Sequence, residues 1–462
     1  MQSTRFDILQ QGLAHLATPL SALPGALWPG LPVMAGQRML AMQFQFAQSE
    51  RWTPAQIAAA QFSQIELLLR HARDTVTFYR ERYAGFDLDG PMDAASFSRL
   101  PLLRREDIQQ HYAALRSTRV PADHGKIIES STSGSTGKPI RFAGTMACDA
   151  LWHAFTLRDH LWHRREFAGK LAAIRARVAP GGSASWGEST DAVFRTGPAV
   201  MCNNEMPIAE QAQWLMREDP DYLISVASNV QALARYCTKA GLKPSRLKEV
   251  RTYGEALHPD ARGEIAAAWG VPVTDMYSCR EAGYLALQCP QHDHYHVQSE
   301  GVYIELLRED GSACAPGETG QVVITVLHNF AMPLIRYAIG DHAEAGAPCD
   351  CGRGLPVIRR IHGRVRNMLR LPDGGARYPR FGETQFAGIA PVRQFQVIQR
   401  SLHVIEVALV VERTLTAAEE ESLRALIAKN LGGDFDIGFS YHAEIPRLPS
   451  GKYEDFRSEV QA

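Results

Sequence analysis

The chain has no uninterrupted apolar run long enough to cross a membrane. Its most apolar N-terminal stretch, Leu13 to Met34, is broken by Pro19, Pro24, Pro29 and Pro32, and no basic segment precedes a continuous apolar core as in a secretory leader. A strong charge of either sign is absent as well: 49 Lys and Arg face 50 Asp and Glu, for a net charge of -1. Basic runs such as His163-Arg164-Arg165 are short, which excludes the clustered cationic surface that nucleic-acid binding needs. Neither an internal repeat nor a low-complexity tract is present. Two common catalytic signatures are also missing. Gly134 and Gly137 are too close for a Walker A loop, Pro139 follows the lysine, and Ser135 lacks the glycine two residues earlier that a nucleophile elbow requires. These absences lead us to expect a cytoplasmic protein that binds neither membrane nor nucleic acid, whose eight cysteines serve as thiols or metal ligands before disulfides.

What remains is an ordinary globular composition and one dense segment, Ser130-Ser131-Thr132-Ser133-Gly134-Ser135-Thr136-Gly137-Lys138-Pro139-Ile140-Arg141. Glycines let a backbone turn its amides toward one concavity, hydroxyls add donors, and Lys138 adds a charge suited to polyphosphate. At 462 residues the chain is too long for one core. Residues 1–125 read as mostly helical. Thr53 and Pro54 open a helix whose apolar positions are Ile57, Ala60, Phe62, Ile65, Leu68 and Leu69, and Leu100–Ile108 reads as a turn into another. From Ile127 onward, Lys170–Ile174, Tyr222–Val226, Glu249–Tyr253 and Val271–Thr274 alternate with helical segments, the pattern of an α/β domain with a largely parallel sheet. Val302–Leu307 and Gly320–Leu327 read as a strand pair. After Gly363 the pattern becomes a compact α+β tail with strands at Gln394–Ile398 and Val404–Val411 and a helix at Ala417–Leu431.

Five segments, in order, resemble the motifs of the adenylate-forming superfamily, most closely its phenylacetate–CoA ligase-like branch. The resemblance spans roughly residues 50 to 460 and implies a large N-terminal adenylation domain of layered sheets and helices, residues 1–364, and a small mobile α+β C-terminal domain, residues 365–462. The Ser/Thr/Gly loop, with Ser133, Gly134, Ser135, Thr136, Gly137 and Lys138, would then hold the phosphates of ATP. Tyr253-Gly254-Glu255-Ala256-Leu257 resembles the family's Gly-Glu segment beside the adenine, which assigns Gly254 and Glu255 to the nucleotide. Asp275–Gly283 is similar to the Tyr-Gly-x-Thr/Ser-Glu segment: Tyr277 would lie against the adenine and Glu281 would help hold Mg²⁺, a hard ion that prefers oxygen ligands. Ser278 and Arg280 depart from that pattern, and Arg280 is suited to pairing with a phosphate or with the acyl-adenylate, or else to a structural ion pair. Ile335–Asp341 resembles Tyr-x-x-Gly-Asp, in which Asp341 accepts the ribose hydroxyls.

The last segment, Pro446–Lys452, resembles the C-terminal Pro-x-x-x-x-Gly-Lys and assigns Lys452 to bridging the carboxylate and the α-phosphate. Gly363-Arg364-Val365-Arg366-Asn367-Met368 is similar to the family's hinge, with Arg364 near the nucleotide and Arg366 or Asn367 replacing the hinge acid. The implied reaction is ATP-dependent activation of a carboxylic acid, followed by transfer to a thiol. CoA is the family default, while the altered hinge leaves a carrier-protein thiol or an amine open. A non-catalytic nucleotide-binding scaffold is the alternative of another class, against which Glu281, Asp341 and Lys452 speak. The acid pocket is expected between the phosphate loop and the Tyr-Glu segment, with Trp152, Phe155, Trp186, Asn204, Asn229 and Tyr253 as candidates and an aromatic or arylacetic acid as substrate. The protein is expected to be a monomer or homodimer.

Two further clusters, Cys289–His296 and Cys349-Asp350-Cys351, contain enough ligands for a four-coordinate Cys₃His zinc, although their spacing is not that of a zinc finger. The resemblance implies a structural zinc held by Cys289, Cys349, Cys351 and either His296 or His294, in a region near 289–351.

Overall fold

Local signals account for many of the helices. Thr53 accepts the Gln56 amide, the Gln56 side chain accepts the Thr53 amide at 2.9 Å, and Pro54 fills the first position of the helix Pro54–Thr75. This reciprocal cap satisfies two amides that no helical carbonyl can reach. Ile57, Phe62, Ile65, Leu68 and Leu69 are buried on one face. The computed structural model describes residues 19–460 except 27, 133–138, 365–367, 373–374, 378, 380, 382–385, 387 and 447–452. Among the described residues before 126, the named elements are all helical: Met34–Ser49, Pro54–Thr75, Thr77–Arg82, Ala94–Ser98, Arg105–Gln110 and a single 3₁₀ turn. None of the described helices is long and apolar enough to cross a membrane.

Fourteen strands follow: β1 (Ile127–Ser131), β2 (Arg141–Thr145), β3 (Leu171–Arg175), β4 (Gly181–Ser183), β5 (Ala199–Asn203), β6 (Tyr222–Ser225), β7 (Glu249–Tyr253), β8 (Val273–Cys279), β9 (Gly283–Gln288), β10 (Tyr295–Val297), β11 (Val302–Leu307), β12 (Thr319–Val326), β13 (Tyr337–Ala345) and β14 (Val357–Arg364). The first two form an antiparallel hairpin. The other twelve form one sheet in the order β11-β12-β13-β14-β10-β9-β8-β7-β6-β3-β5-β4. β5, β3, β6, β7 and β8 run parallel to one another; β4/β5, β8/β9, β9/β10, β10/β14 and β11/β12 are antiparallel. The sheet is therefore mixed where the sequence suggested a largely parallel one. The parallel run is connected through helices such as Ala227–Ala240 and Pro259–Trp269, whereas the three residues between β8 and β9 are too few for a parallel crossover. The expected strand at Val271 begins at Val273, because Pro272 has no amide and contributes only its carbonyl, to Val250.

The chain divides into two compact units. One contains the chain to Ile339 and Ala343–Ile361; the other contains Gly340–His342 and everything from His362 onward. The smaller unit has two short strands, β15 (Leu369–Arg370) and β16 (Ala376–Arg377), and a four-stranded sheet of β17 (Val392–Gln399), β18 (Val404–Val411), β19 (Asp436–Tyr441) and β20 (Phe456–Ser458), in the order β19-β18-β17-β20. The helix Ala417–Leu431, capped reciprocally by Thr416 and Glu419, packs Leu423, Ile427 and Leu431 into a core with Phe395, Val397, Val407 and Leu409. The larger fold class, α/β with a small α+β unit, is as the sequence indicates.

A buried ionic network ties the helix Met146–Trp162 to the sheet. Asp159 lies 2.6 Å from both Arg165 and Arg251, and Arg165 also meets Glu249 on β7 at 2.7 Å. Burial alone would raise the Asp159 carboxyl, but the two guanidiniums outweigh it and hold the group well below the carboxylate range. The same burial drives His160 well down and His163 to about 4, with the arginines reinforcing it.

Both imidazoles are thus neutral in the folded state at pH values where the unfolded chain protonates them. Their contribution is complete above about pH 6.5 and is lost as the pH falls toward 4. Asp275, which burial raises to about 6, acts in the opposite direction over part of that window. Burial lowers His71 and His328 in the same way and raises Glu305 alongside Asp275, and the histidines leave a net loss: the thermal midpoint is expected to fall between pH 7 and 4.5, and His163→Gln is expected to flatten the slope. An unaltered slope in that variant would contradict the assignment.

Candidate active site

The carboxyl ends of parallel strands are where α/β sheets present loops to ligands. Here those ends carry Arg175 on β3, Asn203 on β5, Ser225 on β6, Tyr253 on β7 and Cys279 on β8, all at one edge of the sheet. Gly254-Glu255 and Arg280-Glu281 follow directly from β7 and β8. Gly254 has φ +75°, a left-handed turn that a side chain would strain. Glu255 points both carboxylate oxygens at Ser228, accepting its amide at 2.7 Å and its hydroxyl at 3.1 Å. It thereby caps the helix Ala227–Ala240 and holds the β6 and β7 turns together, a use of the carboxylate that sequence did not suggest.

Tyr277 is buried on β8, and the register against β9 slips between Tyr277 and Ser278. Such a bulge turns the strand end and re-aims the residues after it. Glu281 lies half-buried in the turn that closes at Gly283, which has φ +82°. Among the described residues Arg280 has no ion-pair partner, although an ion pair was one of its expected uses. Its Nη1 donates to the Ser131 carbonyl at 2.9 Å, at the end of β1. The β1/β2 hairpin also closes there, with the Thr132 amide donating to the Ile140 carbonyl at 3.0 Å. Two motif segments about 150 residues apart in sequence are thus joined by a direct bond. The loop residues Ser133, Gly134, Ser135, Thr136, Gly137 and Lys138 lie outside the described residues, as do Lys452 and the Arg366-Asn367 pair.

In the smaller unit, Asp341 follows Gly340, with φ +84°, and its carboxylate lies 3.7 Å from Arg364. The two residues that the resemblance assigns to one nucleotide are therefore neighbours.

The six acid-pocket candidates separate into two groups. Trp152 and Phe155 line a cleft of about 320 Å³, counted out to solvent, together with Leu151, Tyr284, Gly301 and His328. Tyr253 lies at the sheet edge. Trp186 instead donates to the Gly169 carbonyl at 2.9 Å and packs against His160, Phe167 and Tyr222, while Asn229 is fully buried and paired with Gln211 at 2.8 Å. Asn204 is buried too. These three belong to the packing of the domain, since neither residue type nor position in the sequence separates a core amide or indole from a pocket one. Tyr284, Gly301 and His328 were not indicated by sequence; their only signal is proximity to Glu281 or to the end of a strand.

At a second place on the sheet, Cys289, His296, Cys349 and Cys351 bring their ligand atoms within 4.8 Å of one another. The Cys289 amide donates to the His294 carbonyl at 2.8 Å, closing the turn into β10, and that strand carries His296 inward. Cys289 Sγ and Cys349 Sγ are 4.0 Å apart, and Cys351 Sγ is 3.3 Å from His296 Nε2. A tetrahedral zinc with ordinary bond lengths would separate such atoms by about 3.5–3.8 Å. The His296 Nδ1 faces the Leu355 carbonyl at 3.4 Å, an arrangement that leaves Nε2 as the ligating nitrogen, and burial keeps the ring neutral by lowering it to about 3. His294 is stacked on His292 and lies outside the four. The donor set fits a closed structural zinc.

The overall arrangement is the fold of the adenylate-forming ligases. A 2-hydroxyisobutyryl-CoA ligase in its postadenylation state aligns with a TM-score of 0.69 at 18% identity, covering 89% of this chain and 92% of that one. In sequence the chain is similar to phenylacetate–coenzyme A ligases. One from Thermus thermophilus is 26% identical over 367 residues, covering 74% of this chain and 78% of its own length, and one from Escherichia coli is 25% identical over 414 residues, covering 85% and 92%. A family model described as the CapK C-terminal domain matches residues 381–458.

Gly301 offers a test of the cleft. A Cβ built there would meet Phe155 Cε2 at 2.7 Å, so Gly301→Ala must turn the Phe155 ring. An aryl acid that occupies this cleft is expected to bind about tenfold more weakly by calorimetry, on the order of 1.4 kcal/mol, and the thermal midpoint is expected to fall because the displaced ring is buried. Unchanged affinity would place aryl binding elsewhere.

Proposed function

We propose that this protein activates a carboxylic acid with ATP and passes the acyl group to a thiol, with CoA as acceptor and an aromatic or arylacetic acid as substrate. The observation that carries the reading is the bond from Arg280 to Ser131, which brings the Glu281 turn to the base of the Ser/Gly loop. In the first step a carboxylate oxygen attacks the α-phosphorus and the bond to pyrophosphate breaks. In the second, a thiol sulfur attacks the acyl carbon, the thiol proton is lost and AMP departs with the former carboxylate oxygen.

The chain's own groups would act by placement and charge. Amides, hydroxyls and Lys138 of the loop would hold the phosphates, Tyr277 would pack against the adenine, and Asp341, with Arg364 beside it, would accept the ribose hydroxyls. Lys452 would lie between carboxylate and α-phosphate and lower their repulsion. A single carboxylate on an open turn, Glu281, suits Mg²⁺, which keeps most of its shell as water and phosphate oxygen and would neutralise phosphate charge. The aromatic walls at Trp152, Phe155 and Tyr284 favour an aryl body in the acid. Zinc at Cys289, His296, Cys349 and Cys351 would hold the β10 hairpin to the loop before β14 and take no part in the reaction. Dependence on ATP and cysteines that form no disulfide among the described residues suit action in the cytoplasm.

ATP–pyrophosphate exchange dependent on an aryl acid is the expected activity, and Lys452→Ala should lower it by at least about 100-fold. Exchange with no acid of an aromatic, fatty or amino acid panel would sink the proposal. For zinc, metal analysis should find one equivalent per chain, and Cys351→Ser should lose it with a lower thermal midpoint. A metal-free native protein of unchanged midpoint would remove zinc from the account.

A further inference from the structure

Arg175 is left unused by the roles above. It ends β3, and its neighbours in the parallel run, β5 and β6, end at the same edge. Leu171, Ala172, Ala173 and Ile174 are buried, while Arg175 emerges into the open. Its guanidinium carbon lies 5.8 Å from the Tyr253 ring centroid. Its charge also reaches the hydroxyls of Tyr253 and Tyr284, where it opposes the upward push of burial, and Tyr284 is a wall of the aryl cleft. The cation is therefore within electrostatic range of both the β7 turn and the cleft.

Arg175 is placed differently from the buried arginines of this unit. Arg158, Arg165 and Arg251 are each matched by a carboxylate within 3.2 Å. Among the described residues, none forms an ion pair with Arg175 or accepts a hydrogen bond from its guanidinium. Two residues later Arg177 is exposed, has φ +57° and likewise lacks a described ion pair. A left-handed residue with a side chain costs about 1–2 kcal/mol, so the loop is held in this form by its surroundings. The carboxyl edge thus presents two arginines, while its acid Glu255, whose charge also reaches the Tyr253 hydroxyl, accepts from Ser228.

We propose that Arg175 is a specificity-determining residue that binds a second anionic group of the acid, so that the preferred substrate is an aryl acid bearing a further carboxylate. The inference rests on the adenylation reading for its reaction but not for its binding site. A planar guanidinium matches a carboxylate with two parallel hydrogen bonds, and as a pure donor it gains little from a neutral ring. The reacting carboxylate is the poorer partner, because its oxygen must be free to attack phosphorus. The aryl body would occupy the cleft at Trp152 and Tyr284, with the second carboxylate directed at Arg175.

The test compares phenylacetate with 2-, 3- and 4-carboxyphenylacetate in ATP–pyrophosphate exchange, using the full chain. At least one dicarboxylate should exceed phenylacetate in kcat/KM by about tenfold or more, and Arg175→Leu should bring that ratio near one while Arg175→Lys restores part of it. No preference in the unaltered protein, or an equal loss on both acids in Arg175→Leu, would overturn the assignment. If no acid supports exchange, the adenylation reading fails separately. Calorimetry with the carboxyphenylacetates in the absence of ATP then decides the inference: binding that weakens about tenfold or more in Arg175→Leu supports it, and absent binding or unchanged affinity overturns it.

Discussion

Asp159, buried between Arg165 and Arg251, is the contact on which the arrangement of the larger unit turns. A carboxylate there cannot be left with one partner, because an uncompensated buried charge costs several kcal/mol, on the order of 3–5. Through Arg165 the constraint reaches Glu249 on β7, and on the preceding residue of the helix Arg158 engages Glu50 and Glu300. The helix Met146–Trp162 is thereby fixed in both rotation and height, and it is this helix that supplies Trp152 and Phe155 to the cleft. Glu300 precedes Gly301, whose missing side chain gives the Phe155 ring its space, and the Glu300 carbonyl meets the His328 ring at 2.8 Å. On the other side Arg353 lies 4.4 Å over the Trp162 ring and two residues from Cys351. Cleft and cysteine cluster share one rigid support. Apolar residues of similar volume could match its stability; what the network adds is a set of directional contacts from the helix to Arg251, Glu50 and Glu300.

On that support, the chemistry is collected at one edge by topology. Five strands run parallel and end together, so turns far apart in sequence become neighbours. The bond from Arg280 to Ser131 is the clearest instance, because it spans from the β8 turn to the hairpin that bears the Ser/Gly loop. An arginine in place of a small hydroxyl residue at position 280 then acquires a physical role: it reaches a backbone carbonyl that Thr or Ser could not. Glu255 contributes in the same way, by securing the neighbouring turn and not by reaching outward.

Sequence exposed those parts of the fold whose causes are local. Thr53 and Pro54 announce the start of a helix, and the β-branched and apolar runs at Val302–Leu307 and Val404–Val411 announce strands, since each depends on neighbours a few residues away. The helix Met34–Ser49 gave no such signal. Met39 and Phe46 are buried while Met34 and Phe44 are exposed, and Phe46 finds its partner in the Phe155 ring 4.9 Å away, more than 100 residues on. β4 is three residues long and exists through its pairing with β5. The metal cluster shows the same limit on a smaller scale. His294 and His296 are two residues apart, and alternation in an extended chain puts i and i+2 on one face, so the choice between them awaited the register of β10. Motif order identified the site's turns, but the cleft walls and Arg175 are defined by which strands lie side by side.

The central claim is that a carboxylate oxygen of the substrate attacks the α-phosphorus of ATP. Isotope transfer measures this directly: phenylacetate or a carboxyphenylacetate labelled with ¹⁸O in the reacting carboxylate is turned over with ATP and CoA, and the AMP is examined by mass spectrometry. The account predicts AMP carrying one ¹⁸O atom from the acid. Turnover that yields unlabelled AMP, or ADP and labelled inorganic phosphate, would contradict it.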